Sequence, residues 1–305
     1  MDLERRRPHL YGPKQETKQD TTIRVIVEQL PSTRVIEGHG QSIEADQPAR
    51  AISPHIFLLG YPRSGTTLVE NILASLPGVA ALEEWPTLAE TDKRYLAGNP
   101  TEIGVGLTDF ARLDRAGRMA LRSAYWERTV AAGIDSHAAA FVDMDPLKGT
   151  RLPFIAGLFP DARILIMRRD PRDVVWSCFK TNFAMTSNTF EYTSLERAAR
   201  HYDAMMRLTD LALAKLPLTT MDVDYRALTR DLDGVTRQIC AFIGLDWSPN
   251  IRNFDTTAKR RGVGTASAAQ VRKGLYDGSG QWKPYARWLE PVLANPRAMD
   301  RTLWP

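Results

Sequence analysis

The feature that most restricts this chain is an apolar run that breaks at a glycine and restarts as a helix. Ile56-Phe57-Leu58-Leu59 ends at Gly60, and Tyr61-Pro62-Arg63-Ser64-Gly65-Thr66-Thr67 follows. Leu68, Val69, Ile72, Leu73 and Leu76 then recur at helical spacing until Pro77-Gly78 stops the segment. A short continuous apolar run suits a strand buried on both faces, so the unit reads strand, tight loop, helix. From Gly60 the loop is G-x-x-x-x-G-T-T, the spacing of a phosphate-binding loop with Thr66 in place of its lysine. A glycine-bounded turn feeding a helix gathers N–H groups and the positive helix end at one point, which suits an oxyanion. Ser64 and Gly65 shape that turn, Thr66 and Thr67 add hydroxyls, and Arg63 adds a cationic fork. A triphosphatase needs the lysine for its terminal phosphates, so its absence points to a less charged ligand.

The same grammar returns downstream. Arg163-Ile164-Leu165-Ile166-Met167 reads as a second buried strand, Arg168-Arg169-Asp170 as its loop, and Pro171 as the first position of the next helix. A long helix is expected between Ser194 and Leu216. A strand near Thr219 to Val223 and a helix ending at Gly244 follow. Strands alternating with helices predict an α/β fold: a three-layer parallel sheet flanked by helices. Ligands of such sheets bind at the carboxyl ends of the strands, where both special loops lie. The expected division is an N-terminal arm over 1–53, with a strand or wrapping segment at Thr22 to Val27, and one domain over 54–305.

Composition narrows the classes. In 305 residues, 43% are hydrophobic and 25% charged, the balance of an ordinary globular protein. The net charge of +4 comes from mixed charges, which argues for an anionic small ligand over nucleic acid. Two cysteines, Cys178 and Cys240, favour a reducing compartment. The first twenty residues lack the apolar core of a secretory signal, and no stretch approaches the ~20 apolar residues of a membrane span. A cytoplasmic protein is therefore expected, and oligomeric state is not readable.

Three stretches in order carry a family resemblance. Tyr61 to Thr67 resembles the 5′-phosphosulfate loop of sulfotransferases that use 3′-phosphoadenosine 5′-phosphosulfate. Arg169-Asp170-Pro171-Arg172-Asp173-Val174-Val175-Trp176-Ser177 resembles their 3′-phosphate motif. Thr265 to Lys273, with Trp282 and Tyr285 downstream, resembles the C-terminal segment of the tyrosylprotein sulfotransferase-like branch. The resemblance implies a P-loop NTPase-like sulfotransferase fold and that cosubstrate, with no metal. It implies that Arg63, Ser64, Gly65, Thr66 and Thr67 cradle the 5′-phosphosulfate and that Arg169 and Ser177 hold the 3′-phosphate. Tyr225 would add a nucleotide contact, and Ser267 would lie near the sulfuryl group. The basic residues of 259–285, Arg272 and Lys273 among them, suit a lid over the same nucleotide.

Sulfuryl transfer to a hydroxyl needs a base at the acceptor and donors where charge develops on the leaving phosphate. No ligand spacing suggests a metal. Glu83-Glu84 follows the first helix, and the resemblance implies Glu84 as the general base, with mutual repulsion of the pair helping to raise its pKa. Asp145 is the reserve. Met144 stands where the branch carries a leaving-group lysine, which makes Lys148, in the following turn, the candidate replacement. The five histidines fall outside the motifs and read as packing or surface residues. The acceptor is a hydroxyl of unknown identity, a peptide tyrosine or a small molecule. Two rival readings stand beside this one: a P-loop kinase, against which Thr66 argues, and an inactive nucleotide-binding module, which Met144 motivates.

Overall fold

Each strand of this protein is short, and each is placed by which of its faces are buried. In the computed structural model, residues 26, 51–96, 103–262 and 264–293 are described. Strands β1 (His55–Leu59), β2 (Val79–Glu83), β3 (Ala140–Met144), β4 (Arg163–Arg168) and β5 (Thr219–Asp224) form one parallel sheet in the order β2-β3-β1-β4-β5. Leu58 sits in register between Met144 and Leu165, so β1 is the central strand. The strands alternate between two cores. Phe57, Leu59, Phe141, Ile164 and Ile166 face one, and Ile56, Leu58, Val142, Leu165 and Met167 face the other. All are essentially without solvent contact, and burying each such side chain stabilises the fold by about 1.5–3 kcal/mol relative to exposure. That double burial is why these strands read as unbroken apolar runs.

The helices that frame the site are α1 (Thr66–Leu73), α2 (Arg115–Ala131), α3 (Pro171–Lys180), α4 (Leu195–Lys215), α5 (Leu232–Ile243), α6 (Phe254–Arg261) and the short α7 (Ala268–Val271). Helix α4 starts where Ser194 caps the Arg197 amide, buries Ala198, Met205, Leu208 and Ala212, and packs against α3. Helix α5 ends at Gly244, whose φ of 75° is the left-handed closing conformation.

Two points differ from the sequence reading. Val79 to Glu83 is a strand at the sheet edge, where that reading assigns no element. Of the expected strand at Thr22 to Val27, Ile26 alone is described, and it is helical and fully buried. The rest of the 1–53 arm lies outside the described residues, apart from 51–53.

The strand order reverses beside β1, with β3 to one side and β4 to the other, and this is where doubly wound sheets open a crevice. The carboxyl ends of all five strands deliver the residues discussed next.

Candidate active site

The loop after β1 is held open by its glycines. A Cβ on Gly60 would meet the Met167 carbonyl at 3.0 Å, and one on Gly65 would meet the Tyr225 ring at 2.7 Å. Gly65 also has a φ of 114° and is the N-cap of α1. It offers no side-chain cap, and the first turn of α1 has no acidic residue. The Leu68 and Val69 amides donate to the Gly65 carbonyl at 3.0 and 3.2 Å, and the Thr66 and Thr67 amides before them have no intrahelical acceptor, so this helix start carries partial positive charge. Ser64 braces the turn: its amide donates to the Tyr61 carbonyl at 3.0 Å, and its hydroxyl accepts from the Tyr61 amide at 3.3 Å.

Arg63 joins the three sequence motifs. Its backbone has a φ of 71°, unusual for a residue with a Cβ. From there the guanidinium donates through Nε to Ser177 Oγ at 3.0 Å, through Nη1 to Ser267 Oγ at 2.6 Å and through Nη2 to Gln270 Oε1 at 2.7 Å. Burial lowers its pKa, and neighbouring Arg169 pushes the same way. Arg169 itself donates to the Arg63 carbonyl at 2.8 Å and to the Gly278 carbonyl at 2.6 Å, and lies 4.5 Å over the Tyr225 ring. Cys178, buried in α3, donates to the Pro62 carbonyl at 3.3 Å. Thr67 meets Thr265 at 3.1 Å between hydroxyl oxygens, and Thr66 is buried beside it. The structure thus brings Arg63, Ser64, Gly65, Thr66, Thr67, Arg169, Ser177, Tyr225 and Ser267 into one region. Arg272 is half-buried and Lys273 exposed on the same segment.

Beside Arg169 opens a cavity of about 420 Å³, large enough for a nucleoside-sized ligand. Arg172, Arg226, Arg230 and Lys283 line it, along with Tyr225 and Trp282. Arg172 pairs with Asp170 at 2.6 Å and stacks 4.2 Å over Trp282, so it holds the wall of the cavity. Asp173 accepts from the Gly280 and Trp282 amides at 2.7 and 3.3 Å and ties the C-terminal segment down.

The two adjacent glutamates part company at the end of β2. Glu83 accepts from the Gly264 and Thr265 amides at 3.2 and 2.8 Å. Glu84 turns away on a left-handed backbone, φ 46°, while its amide donates to the Met144 carbonyl at 2.7 Å. Its side chain is exposed. The protein around the carboxyl still strips away enough water to raise its pKa to about 7, with further upward pushes from Asp145, then Glu83, then Glu70. Desolvation and Asp145 therefore outweigh the Glu83 repulsion that the sequence suggests. Asp145 caps the turn after β3, accepting from the Leu147 amide at 2.9 Å.

Lys148 departs from expectation. It is buried, ion-paired with Asp143, and donates to the Trp85 carbonyl at 3.3 Å, instead of reaching toward the first loop. The reason is the wholly buried carboxyl of Asp143, which needs a counter-charge at that depth. Met144 is also fully buried. Histidines do enter the packing around the site: His201 meets the Tyr61 hydroxyl at 2.6 Å, and His55 meets the Tyr125 hydroxyl at 2.7 Å. Burial lowers the His201 pKa to about 4 and that of His55 well below its usual value, so both are neutral near pH 7. Glu83, Gln270 and His201 are site neighbours that sequence reasoning missed. Among the described residues no group of three or more His, Cys, Asp or Glu is placed to hold a metal.

Comparison with known proteins gives the family and the fold. An uncharacterized protein of Aquifex aeolicus (strain VF5) is 31% identical over 246 residues, covering 78% of this chain and 31% of that protein. Protein-tyrosine sulfotransferase A of Caenorhabditis elegans is 25% identical over 221 residues, covering 70% of this chain and 56% of that protein. The chain thus spans between about a third and just over half of the length of these relatives. Among solved structures, the sulfotransferase domain of the Synechococcus PCC 7002 olefin synthase shares the fold, with a TM-score of 0.54 and 21% identity over 78% of this chain and 90% of that one. The sequence model of the sulfotransferase family matches residues 54–249, from the start of β1 through α5, and the chain belongs to that family.

Proposed function

We propose that this protein moves a sulfuryl group from 3′-phosphoadenosine 5′-phosphosulfate to an acceptor hydroxyl, of a peptide tyrosine or a small molecule. The observation that carries the reading is the Arg63–Ser177 hydrogen bond, which closes the two anion-binding loops over one cleft. In this reading the α1 helix start, with Ser64, Gly65, Thr66 and Thr67, receives the 5′-phosphosulfate. Arg169 and Ser177 hold the 3′-phosphate, and Tyr225 and the 420 Å³ cavity take the rest of the nucleotide, with Arg272 and Lys273 at its edge.

Glu84, with a pKa near the working pH, accepts the acceptor proton. Arg63 and the helix end face the charge that develops on the leaving phosphate, and Ser267 fixes the orientation of Arg63. Lys148 acts at one remove, holding the Trp85 carbonyl and so the turn that carries Glu84. No step calls for a metal. The free, buried state of Cys178 and Cys240 supports a reducing, cytoplasmic setting.

The test is ligand-linked stability. At a hundredfold excess over Kd, 3′,5′-ADP should stabilise the fold by ~2.7 kcal/mol. At the same concentration 5′-AMP should do far less. Equal melting shifts for the two would remove the 3′-phosphate assignment.

A further inference from the structure

The adjacent glutamates differ in what they touch. Glu84 presents its carboxyl to the open side of the site, whereas both Glu83 oxygens are taken by the main chain of the C-terminal segment. Oε2 accepts from the Gly264 amide at 3.2 Å and Oε1 from the Thr265 amide at 2.8 Å. These two amides lead directly into the residues that meet the first loop. Thr265 bonds Thr67, and Ser267 and Gln270 occupy two nitrogens of Arg63. A second anchor lies just upstream. Arg261, the last residue of α6, donates to the fully buried Glu70 at 2.7 Å, to Asn71 at 3.0 Å and to the Ala81 carbonyl of β2 at 2.9 Å.

We infer that Glu83 is a positioning residue: its carboxylate clamps the Gly264–Thr265 main chain and so sets Ser267 and Gln270 on Arg63. A carboxylate suits the task because it accepts at both oxygens, whereas an amide presents an N–H to one of the two donors. The clamp also links the two halves of the reaction. The strand that ends in Glu83 carries Glu84 on its next residue, so the segment closing over the donor loop is fastened to the peptide unit beside the base. Closing the lid and placing the acceptor base become a single geometric event. The inference rests on the proposed function for its chemistry, but the clamp itself is a contact that can be tested without any turnover.

The test is a double-mutant cycle on 3′,5′-ADP affinity, read by calorimetry, with Glu83→Gln, Thr265→Pro and the pair. Thr265→Pro removes one of the two amides that Glu83 binds. Glu83→Gln should weaken 3′,5′-ADP binding about tenfold, Thr265→Pro, which also loses the Thr67 contact, by more, and the pair should be no weaker than Thr265→Pro alone. Additive weakening, or an unchanged affinity in Glu83→Gln, would overturn the clamp, because a residue that only steadies the strand end would act independently of Thr265. Without nucleotide, trypsin should release the fragment after Lys273 about ten times faster from Glu83→Gln than from the parent, since cleavage follows local opening. Equal release rates would also overturn it. A parent protein that fails to bind 3′,5′-ADP at all would sink the functional reading instead, leaving the proteolysis result to decide the clamp.

Discussion

The loops after β1 and β4 share one plan, strand into loop into helix, yet they meet charge in opposite ways. Helix α1 opens on Gly65, with no capping side chain and no acid in its first turn. Helix α3 opens on Asp170, whose carboxylate accepts from the Arg172 amide at 2.9 Å, and carries Asp173 within the turn. The first helix start has no carboxylate of its own; at the second, Asp170 caps the first turn. Under the proposed function, the attraction for an anion at the second loop comes from the side chains of Arg169 and Ser177 instead of the backbone. The lesson is that a helix start becomes a binding site by what its first turn lacks, and that topology alone does not make one.

The sharpest way to press this contrast is to separate binding from chemistry. If the loops bind and the end of β2 reacts, Glu84→Gln should lower the transfer rate by about 10²–10⁴-fold and leave 3′,5′-ADP affinity as it was. In the parent, the rate should climb with pH and level off above about 7, because only the ionised carboxyl accepts a proton. The stability sign is the reverse. A carboxyl raised in the folded state favours the protonated form, so Glu84 withdraws stability as pH rises from the ordinary carboxylate range through about 7. Thermal melts of the Gln variant at pH 8 should therefore lie above the parent. Full activity in that variant would transfer the base role to Asp145.

The next effect falls on the first loop. Gly65→Ala places a Cβ 2.7 Å from the Tyr225 ring at a φ of 114°. Strain of about 1–3 kcal/mol at that residue should weaken 3′,5′-ADP binding by roughly ten- to a hundredfold in calorimetry. The smallest effect falls on the matching position of the second loop. Asp170→Ala removes a helix cap, which costs about 1 kcal/mol and lowers Tm by a few degrees. The ligand-induced melting shift should survive. Were Asp170→Ala to abolish that shift while Gly65→Ala kept it, the contrast between the two helix starts would be reversed.

Much of this was legible because double burial writes itself into sequence. The runs at Ile56 and Arg163, the Ser194 cap and the Gly244 stop each declare an element without reference to the rest of the fold. Strand β2 does not, because Val-Ala-Ala-Leu-Glu is half-buried at an edge and mostly lacks β-branched residues. The direction of Lys148 was also hidden. Its partner Asp143 is five positions away on a strand, and only the depth of that carboxyl makes the pairing obligatory. The contacts of Glu83 and Gln270 escaped notice for a related reason. Their partners lie about two hundred positions away, and a lone carboxylate or amide carries no sign of whether its acceptors will meet main chain or solvent.

Arg63 and Glu84 share the left-handed backbone that residues with a Cβ avoid. Glycine at either place would relax the chain. A campaign of random mutagenesis scored on heat tolerance alone would accumulate glycine at position 84 but not at 63, where it would also remove the hydrogen bonds to Ser177, Ser267 and Gln270. Under the proposed function its winners would be hardier proteins that had discarded the base, so at Glu84 ruggedness and catalysis pull in opposite directions.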